Sequence, residues 1–294
     1  MPPRLILTLL PSLLSLAAAA AEPSAAAFPP FALAQTEIRP LPPAADGRHY
    51  ELEVHLPASY ARDPGRRYPV LYVTDGYWDF PTVVVSYDNL TYDRAVPEFI
   101  IVGIGYAGGR LDYNDLRRWE LTPVPLTTPG GPSGHAADFL RSLQDQIIPF
   151  VEHEYRADPT RRALAGSSLG GLFSLYVMYT EPDLFQGYIA ASPAVREAAP
   201  WMAEHAAAYA RSGRPLRARL FFTAAENEWP DFRAATERFR DQLAGYRYPG
   251  FVPQFRLIDG MRHAGEKAES YARGMAFVFA PEAPESGPMQ DHPY

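Results

Sequence analysis

The stretch RRALAGSSLGG, Arg161–Gly171, runs from a short apolar segment through two serines flanked by glycine into the apolar run Leu169–Tyr179. Arg162–Gly166 reads as a strand, and Leu169–Tyr179 as a helix that opens at Gly170-Gly171. Gly166-Ser167-Ser168-Leu169-Gly170 is therefore a G-x-S-x-G set on a strand-to-helix turn, the context of a nucleophile elbow. Small residues are required at Gly166 and Gly170, because neighbouring backbone comes too close for a Cβ. Such a turn lifts the Ser168 hydroxyl above the sheet and sets it at a helix N-terminus, which favours developing negative charge. The plain alternative, a turn packed with small residues and no chemistry, leaves the downstream residues below unexplained.

Outward from this turn the chain alternates strands and helices. Tyr50–Leu56 (YELEVHL) alternates like a half-buried strand, while Tyr68–Thr74 (YPVLYVT) and Phe99–Tyr106 (FIIVGIGY) are near-continuous apolar runs. Residues 136–155 carry Phe139, Leu140, Leu143, Ile147, Ile148 and Val151 at helical spacing. Strands follow at Phe185–Ala191, Arg219–Thr223 and Pro253–Ile258, and helices at Trp229–Tyr246 and Glu266–Phe279. Repeated β-then-α order predicts one α/β domain, a mostly parallel sheet covered by helices on both faces. Sites in such sheets lie at the carboxyl ends of strands.

A serine nucleophile needs a base and an acid, and an elbow fold orders them Ser, acid, His. Two histidines follow Ser168 within the predicted domain. His205 lies in an Ala-rich helical run, whereas His263 stands in Asp259-Gly260-Met261-Arg262-His263, directly after the last strand. His263 is the expected base. The acid is sought after Leu220–Thr223, where Glu226, Glu228 and Asp231 are candidates; Glu228 is favoured and Glu226 competes, since spacing does not separate two residues on one loop. Two backbone donors should receive the oxyanion: the Leu169 amide, next to the nucleophile, and the Tyr77 amide in the Asp75-Gly76-Tyr77-Trp78 turn. Tyr77, Trp78 and Phe80 are expected pocket linings, with core packing as their alternative. Arg117 and Arg118 are candidates to attract an anionic substrate.

Composition bounds the rest. The chain has 294 residues and a net charge of −7, which argues against a nucleic-acid backbone binder. Absence of cysteine excludes disulfides, thiolate metal sites and a cysteine nucleophile, and Lys267 is the single lysine. Arg4, the apolar run Leu5–Leu16 and Ala17–Ala21 read as a signal peptide over residues 1–21. An uncleaved anchor is the alternative, but the apolar stretch is about 17 residues against the roughly 20 a spanning helix needs. The predicted layout is then an Ala/Pro-rich linker over 22–43, the domain over 44–280 and a disordered tail over 281–294. Gly103-Ile104-Gly105-Tyr106-Ala107-Gly108 matches a dinucleotide fingerprint, but a polar, turn-rich loop follows it instead of a helix. Gly130-Gly131-Pro132-Ser133-Gly134 has the wrong Gly–Ser spacing. No metal-ligand spacing is present, and no cofactor is expected.

Taken together, these residues resemble the esterase family of α/β-hydrolases that contains esterase D and the enterochelin-type siderophore esterases. The resemblance spans Tyr50 to Phe279. It rests on Tyr68–Gly76, Arg118-Trp119-Glu120-Leu121-Thr122-Pro123, Gly166–Gly171, Phe185–Pro193 and Gly260-Met261-Arg262-His263. It implies an α/β-hydrolase fold and the triad Ser168, Glu228 and His263. The chain departs from the family at Ser167, where His is common, at Ala225, in place of a glycine, and at Trp201, eight residues beyond Pro193. The expectation is a periplasmic or secreted serine esterase acting on a small-molecule ester, with no stable membrane insertion. The candidate esters are siderophore trilactones and aryl or acyl esters, feruloyl esters among them. An acyltransferase on the same scaffold and a non-catalytic binding module are the alternatives, and Gly108–Gly134 is a candidate lid.

Overall fold

The computed structural model describes residues 31–108, 111–285 and 287. The segment read as a signal peptide lies outside them. Contacts group the described residues from Leu33 onward into one body, built on an eight-stranded sheet. In chain order the strands are β1 (Thr36–Pro40), β2 (Tyr50–His55), β3 (Tyr68–Val73), β4 (Ile100–Tyr106), β5 (Ala157–Ser167), β6 (Gly187–Ala191), β7 (Arg219–Ala225) and β8 (Val252–Ile258). Their order across the sheet is β1-β2-β4-β3-β5-β6-β7-β8, with antiparallel pairing at β1-β2 and β2-β4 and parallel pairing throughout the rest. This is the α/β-hydrolase arrangement. Buried on both faces, β3 and β4 are apolar at every turn, whereas the edge strands β1 and β8 are largely exposed.

The helices are α1 (Gly76–Tyr92), α2 (Tyr113–Glu120), α3 (Ala136–Ser142), α4 (Ile148–Glu154), α5 (Leu169–Thr180), α6 (Ala199–Ser212), α7 (Pro230–Ala244) and α8 (Lys267–Val278). α1 and α8 cover one face, with Val83, Tyr87, Tyr271 and Met275 packed on Val73, Ile101 and Ile189. The remaining helices build the larger core on the other face around Phe139, Phe173, Val177, Met202 and Phe239.

Four expectations change. The segment read as a linker carries β1, whose residues pair Thr36 with His55 through Pro40 with Glu51, and Leu41 and Ala44 beyond it are buried. The tail read as disordered is ordered over its described residues 281–285: Ala280–Glu282 forms a 3-10 turn, Glu282 pairs with Arg161 and Glu285 with Arg94. The helix expected over 136–155 is broken by a π turn, Leu143–Ile147. Pro149 lacks an N–H and sits at the start of α4, so the ladder widens before it. Finally, α1 was not expected at all. Pro81 and the run Val83-Val84-Val85 argue against a helix, yet Phe80, Val83, Val84 and Tyr87 recur at i, i+3, i+4 and i+7 and are buried.

Candidate active site

Ser168 joins β5 to α5 with φ 58° and ψ −114°, a left-handed backbone that a non-glycine residue adopts only when its surroundings enforce it. The enforcement is visible. A Cβ on Gly166 would stand 2.5 Å from the Gly170 carbonyl carbon, and one on Gly170 would collide with the Thr74 hydroxyl. The Ser168 amide donates to Ala191 O at 2.9 Å, and Ser168 O accepts the Ala194 and Leu172 amides at 2.8 and 2.9 Å. The turn is thus clamped by β6 and its loop, while the Ser168 side chain stays partly open.

Leu169 is the first residue of α5 and Tyr77 the second of α1, positions whose amides have no partner within a helix. These helices start from β5 and β3, which are neighbours in the sheet. Both amides therefore stand at adjacent strand ends. The Trp78 and Asp79 amides already donate to Asp75 O, at 2.8 and 3.0 Å. Asp75 itself takes φ 54° before α1, and Gly76 is required because a Cβ there would sit 2.8 Å from the Gly103 carbonyl carbon.

His263 follows β8. Its Nδ1 lies 2.8 Å from Oε2 of Glu228, whose side chain is fully buried and whose Oε1 accepts the Ala225 amide at 3.1 Å. An Nδ1–H donated to this oxygen leaves Nε2 as the nitrogen able to accept a proton. Phe232 packs edge-on against the imidazole with ring centroids 4.8 Å apart, and Trp229, 59% exposed, lies 5.1 Å away on the outer side. Glu226 is exposed and accepts the Gly260 amide at 2.7 Å, so it holds the β8 loop; Asp231 is exposed and pairs with Arg196. The structure brings His263 to Glu228 and to neither competitor. His205 lies in α6, stacked on Trp201 with its Nδ1 2.8 Å from Trp201 O.

The expected substrate contacts divide. Phe80 is a core residue of α1, since it fills the space that Gly103 leaves open. Trp78 is half exposed, with its ring 3.6 Å from the Lys267 ammonium. Tyr77 stacks on Tyr113 at 4.0 Å. Arg118 is bound to the loop that follows it, donating to Gly131 O at 3.0 Å and to Thr128 Oγ1 at 3.0 Å. Arg117 grips Asp75 with two hydrogen bonds of 3.0 and 2.9 Å and reaches Ser167 O at 3.5 Å. Both arginines thus have protein partners. The candidate lid is anchored by the same contacts and by Glu120, buried where Tyr50 and Tyr106 donate to it at 3.1 and 2.7 Å. Gly103 and Gly105, read as a false dinucleotide fingerprint, open β4 for the Glu53 carboxyl, which a Cβ at either would meet within 2.8 Å.

Residues 44–229 match the family model Esterase, described as Putative esterase. The chain is 26% identical over 273 residues to ferri-bacillibactin esterase BesA of Bacillus subtilis, covering 86% of this chain and 93% of that one. It is 32% identical over 154 residues to the siderophore triacetylfusarinine C esterase of Aspergillus fumigatus, about half of each chain. Among solved structures, the BES protein from Bacillus cereus superposes with a TM-score of 0.76 at 22% identity, over 87% of this chain and 99% of that one. Siderophore hydrolase EstB from Aspergillus nidulans does so with a TM-score of 0.74 at 23% identity, over 88% and 100%. These last two show the shared fold. The chain belongs to this esterase family, the enterochelin-esterase-like group of the α/β-hydrolase superfamily, and is a carboxylic ester hydrolase of the serine-hydrolase type.

Proposed function

We propose that Ser168, His263 and Glu228 form the catalytic triad of an exported esterase that opens siderophore esters. The observation that carries the triad is the 2.8 Å hydrogen bond from His263 Nδ1 to buried Glu228, on the rim where Ser168 is held in its strained turn. Ser168 Oγ attacks the ester carbonyl as His263 Nε2 takes its proton. The Leu169 and Tyr77 amides receive the charge on the carbonyl oxygen. Collapse of the tetrahedral intermediate expels the alkoxide, which takes the proton from His263 and leaves an acyl-Ser168. Water then attacks, its proton passes to His263, and the acid departs as Ser168 recovers its hydrogen.

The siderophore substrate is supported by the printed names of the curated relatives, ferri-bacillibactin and triacetylfusarinine C esterases among them. It is supported too by the exposed aromatic surfaces of Trp78 and Trp229 beside the site. Export is supported by the Arg4, Leu5–Leu16 and Ala17–Ala21 pattern, and Edman sequencing of the protein recovered from cells would show a mature end near Glu22. Incubation with the trilactone enterobactin, followed by mass spectrometry, tests the reading. Linear hydrolysis products are expected with the native chain and at least about 1,000-fold more slowly with Ser168→Ala. Equal rates would refute the mechanism.

A further inference from the structure

The chain's single lysine is buried. Lys267 opens α8 and its Nζ lies 2.7 Å from Asp79 Oδ1, with the lysine side chain 11% exposed and the aspartate 1%. Asp79 sits in the first turn of α1. Its second oxygen accepts the Tyr271 hydroxyl, and the Trp78 ring covers the ammonium at 3.6 Å. Burial holds the Asp79 carboxyl above its ordinary range against the pull of Lys267, and the 2.7 Å contact sets the two groups against each other. A lone charge at either position would be left largely buried without its counter-charge.

The two ends of this pair belong to different parts of the site. Asp79 is two residues from Tyr77, whose amide is the proposed oxyanion donor. Lys267 is four residues from His263, and the turn between them is closed by the Gly265 and Glu266 amides donating to Arg262 O at 3.0 and 3.2 Å. Movement of α8 against α1 would therefore move the base relative to the oxyanion donor. Displacement of about 1 Å between catalytic groups costs on the order of 100-fold in rate. A hydrogen-bonded ion pair sets the distance between its two ends, which apolar side chains of similar volume would not require.

We propose that Lys267 is a positioning residue: through Asp79 it fixes the α1 turn bearing the Tyr77 amide against the turn bearing His263. This rests on the triad and oxyanion assignments above. Because the chain has no other lysine, acylation with sulfosuccinimidyl acetate followed by peptide mass spectrometry reads the ion pair directly. Lys267 should react at least about tenfold more slowly in the native chain than in Asp79→Asn; equal rates would mean that the pair does not form. Catalysis is read as kcat per active site, with sites counted by fluorophosphonate titration. Lys267→Met should lower kcat about tenfold and leave KM within about twofold, and Lys267→Arg should restore most of the loss. The double variant Asp79→Asn/Lys267→Met removes both charges and keeps an acceptor for the Tyr271 hydroxyl, yet it should show the same fall in kcat. Full kcat per titrated site in that variant would overturn the proposal and leave the pair a purely structural contact. Absence of any fluorophosphonate uptake by the native chain would instead overturn the serine mechanism on which it rests.

Discussion

Glu228 divides its buried carboxylate between two donors, His263 Nδ1 on one oxygen and the Ala225 amide on the other. The amide holds Oε1 while Oε2 faces the imidazole, an arrangement that in the proposed triad orients His263. Glu228→Gln would offer an amide where an acceptor is needed and favour the wrong tautomer. The expected result is a fall in kcat of roughly 100- to 10,000-fold with KM little changed, measured on an aryl ester. Glu226→Gln should leave kcat within about threefold, because Glu226 holds only the Gly260 amide.

Arg117 and Asp75 form the second relation on which the site depends. The guanidinium meets the carboxylate through two parallel bonds, with 12% and 1% of the side chains exposed. This pair ties α2 to the Asp75–Tyr77 turn, which bears the proposed oxyanion donor, and, through Ser167 O, to the β5–α5 turn. Arg117→Lys replaces a two-pronged donor by a point charge and should lower both kcat and thermal stability. Arg117→Met leaves Asp75 buried without its partner and should cost about 3 kcal/mol, seen as a lower midpoint in urea.

Three carboxyls make stability fall as pH rises. Burial pushes Glu53 and Glu266 up to about 7 and Glu120 up to about 8. In each case the folded chain keeps a proton that the unfolded chain releases near 4.5. The stability they contribute is thus complete below about pH 4.5 and is lost as pH rises through 7 to 8. Glu266→Gln is neutral at every pH, and its oxygen can still accept from Thr223 and Ser270. Between pH 5 and pH 8 this variant should gain on the order of 3 kcal/mol relative to the native chain, measured by urea unfolding at each pH. A constant difference between the two chains would contradict the burial argument.

Much of this candidate site can be read without coordinates, and the reasons are local. Gly166, Ser168 and Gly170 identify the elbow because a strand ends and a helix begins within five residues. His263 is recognisable because it follows the last strand in the chain order that such a fold demands. Glu228 and Glu226 are separable only by where each side chain points: one turns inward to the imidazole, the other outward to Gly260. The Arg117–Asp75 and Lys267–Asp79 pairs join residues 42 and 188 positions apart, and no spacing rule reaches that far. β1 is hidden because its largely exposed TEIRP sequence shows no period-two burial and is stabilised by pairing with β2.

The central claim is that Ser168 is an activated nucleophile. Reaction of the folded chain with a fluorophosphonate, followed by peptide mass spectrometry, tests it most directly. One adduct, on Ser168, abolished by prior heat denaturation and by His263→Ala, is the predicted result. No adduct under conditions that label a control serine hydrolase, or an adduct that persists after denaturation, would contradict the account.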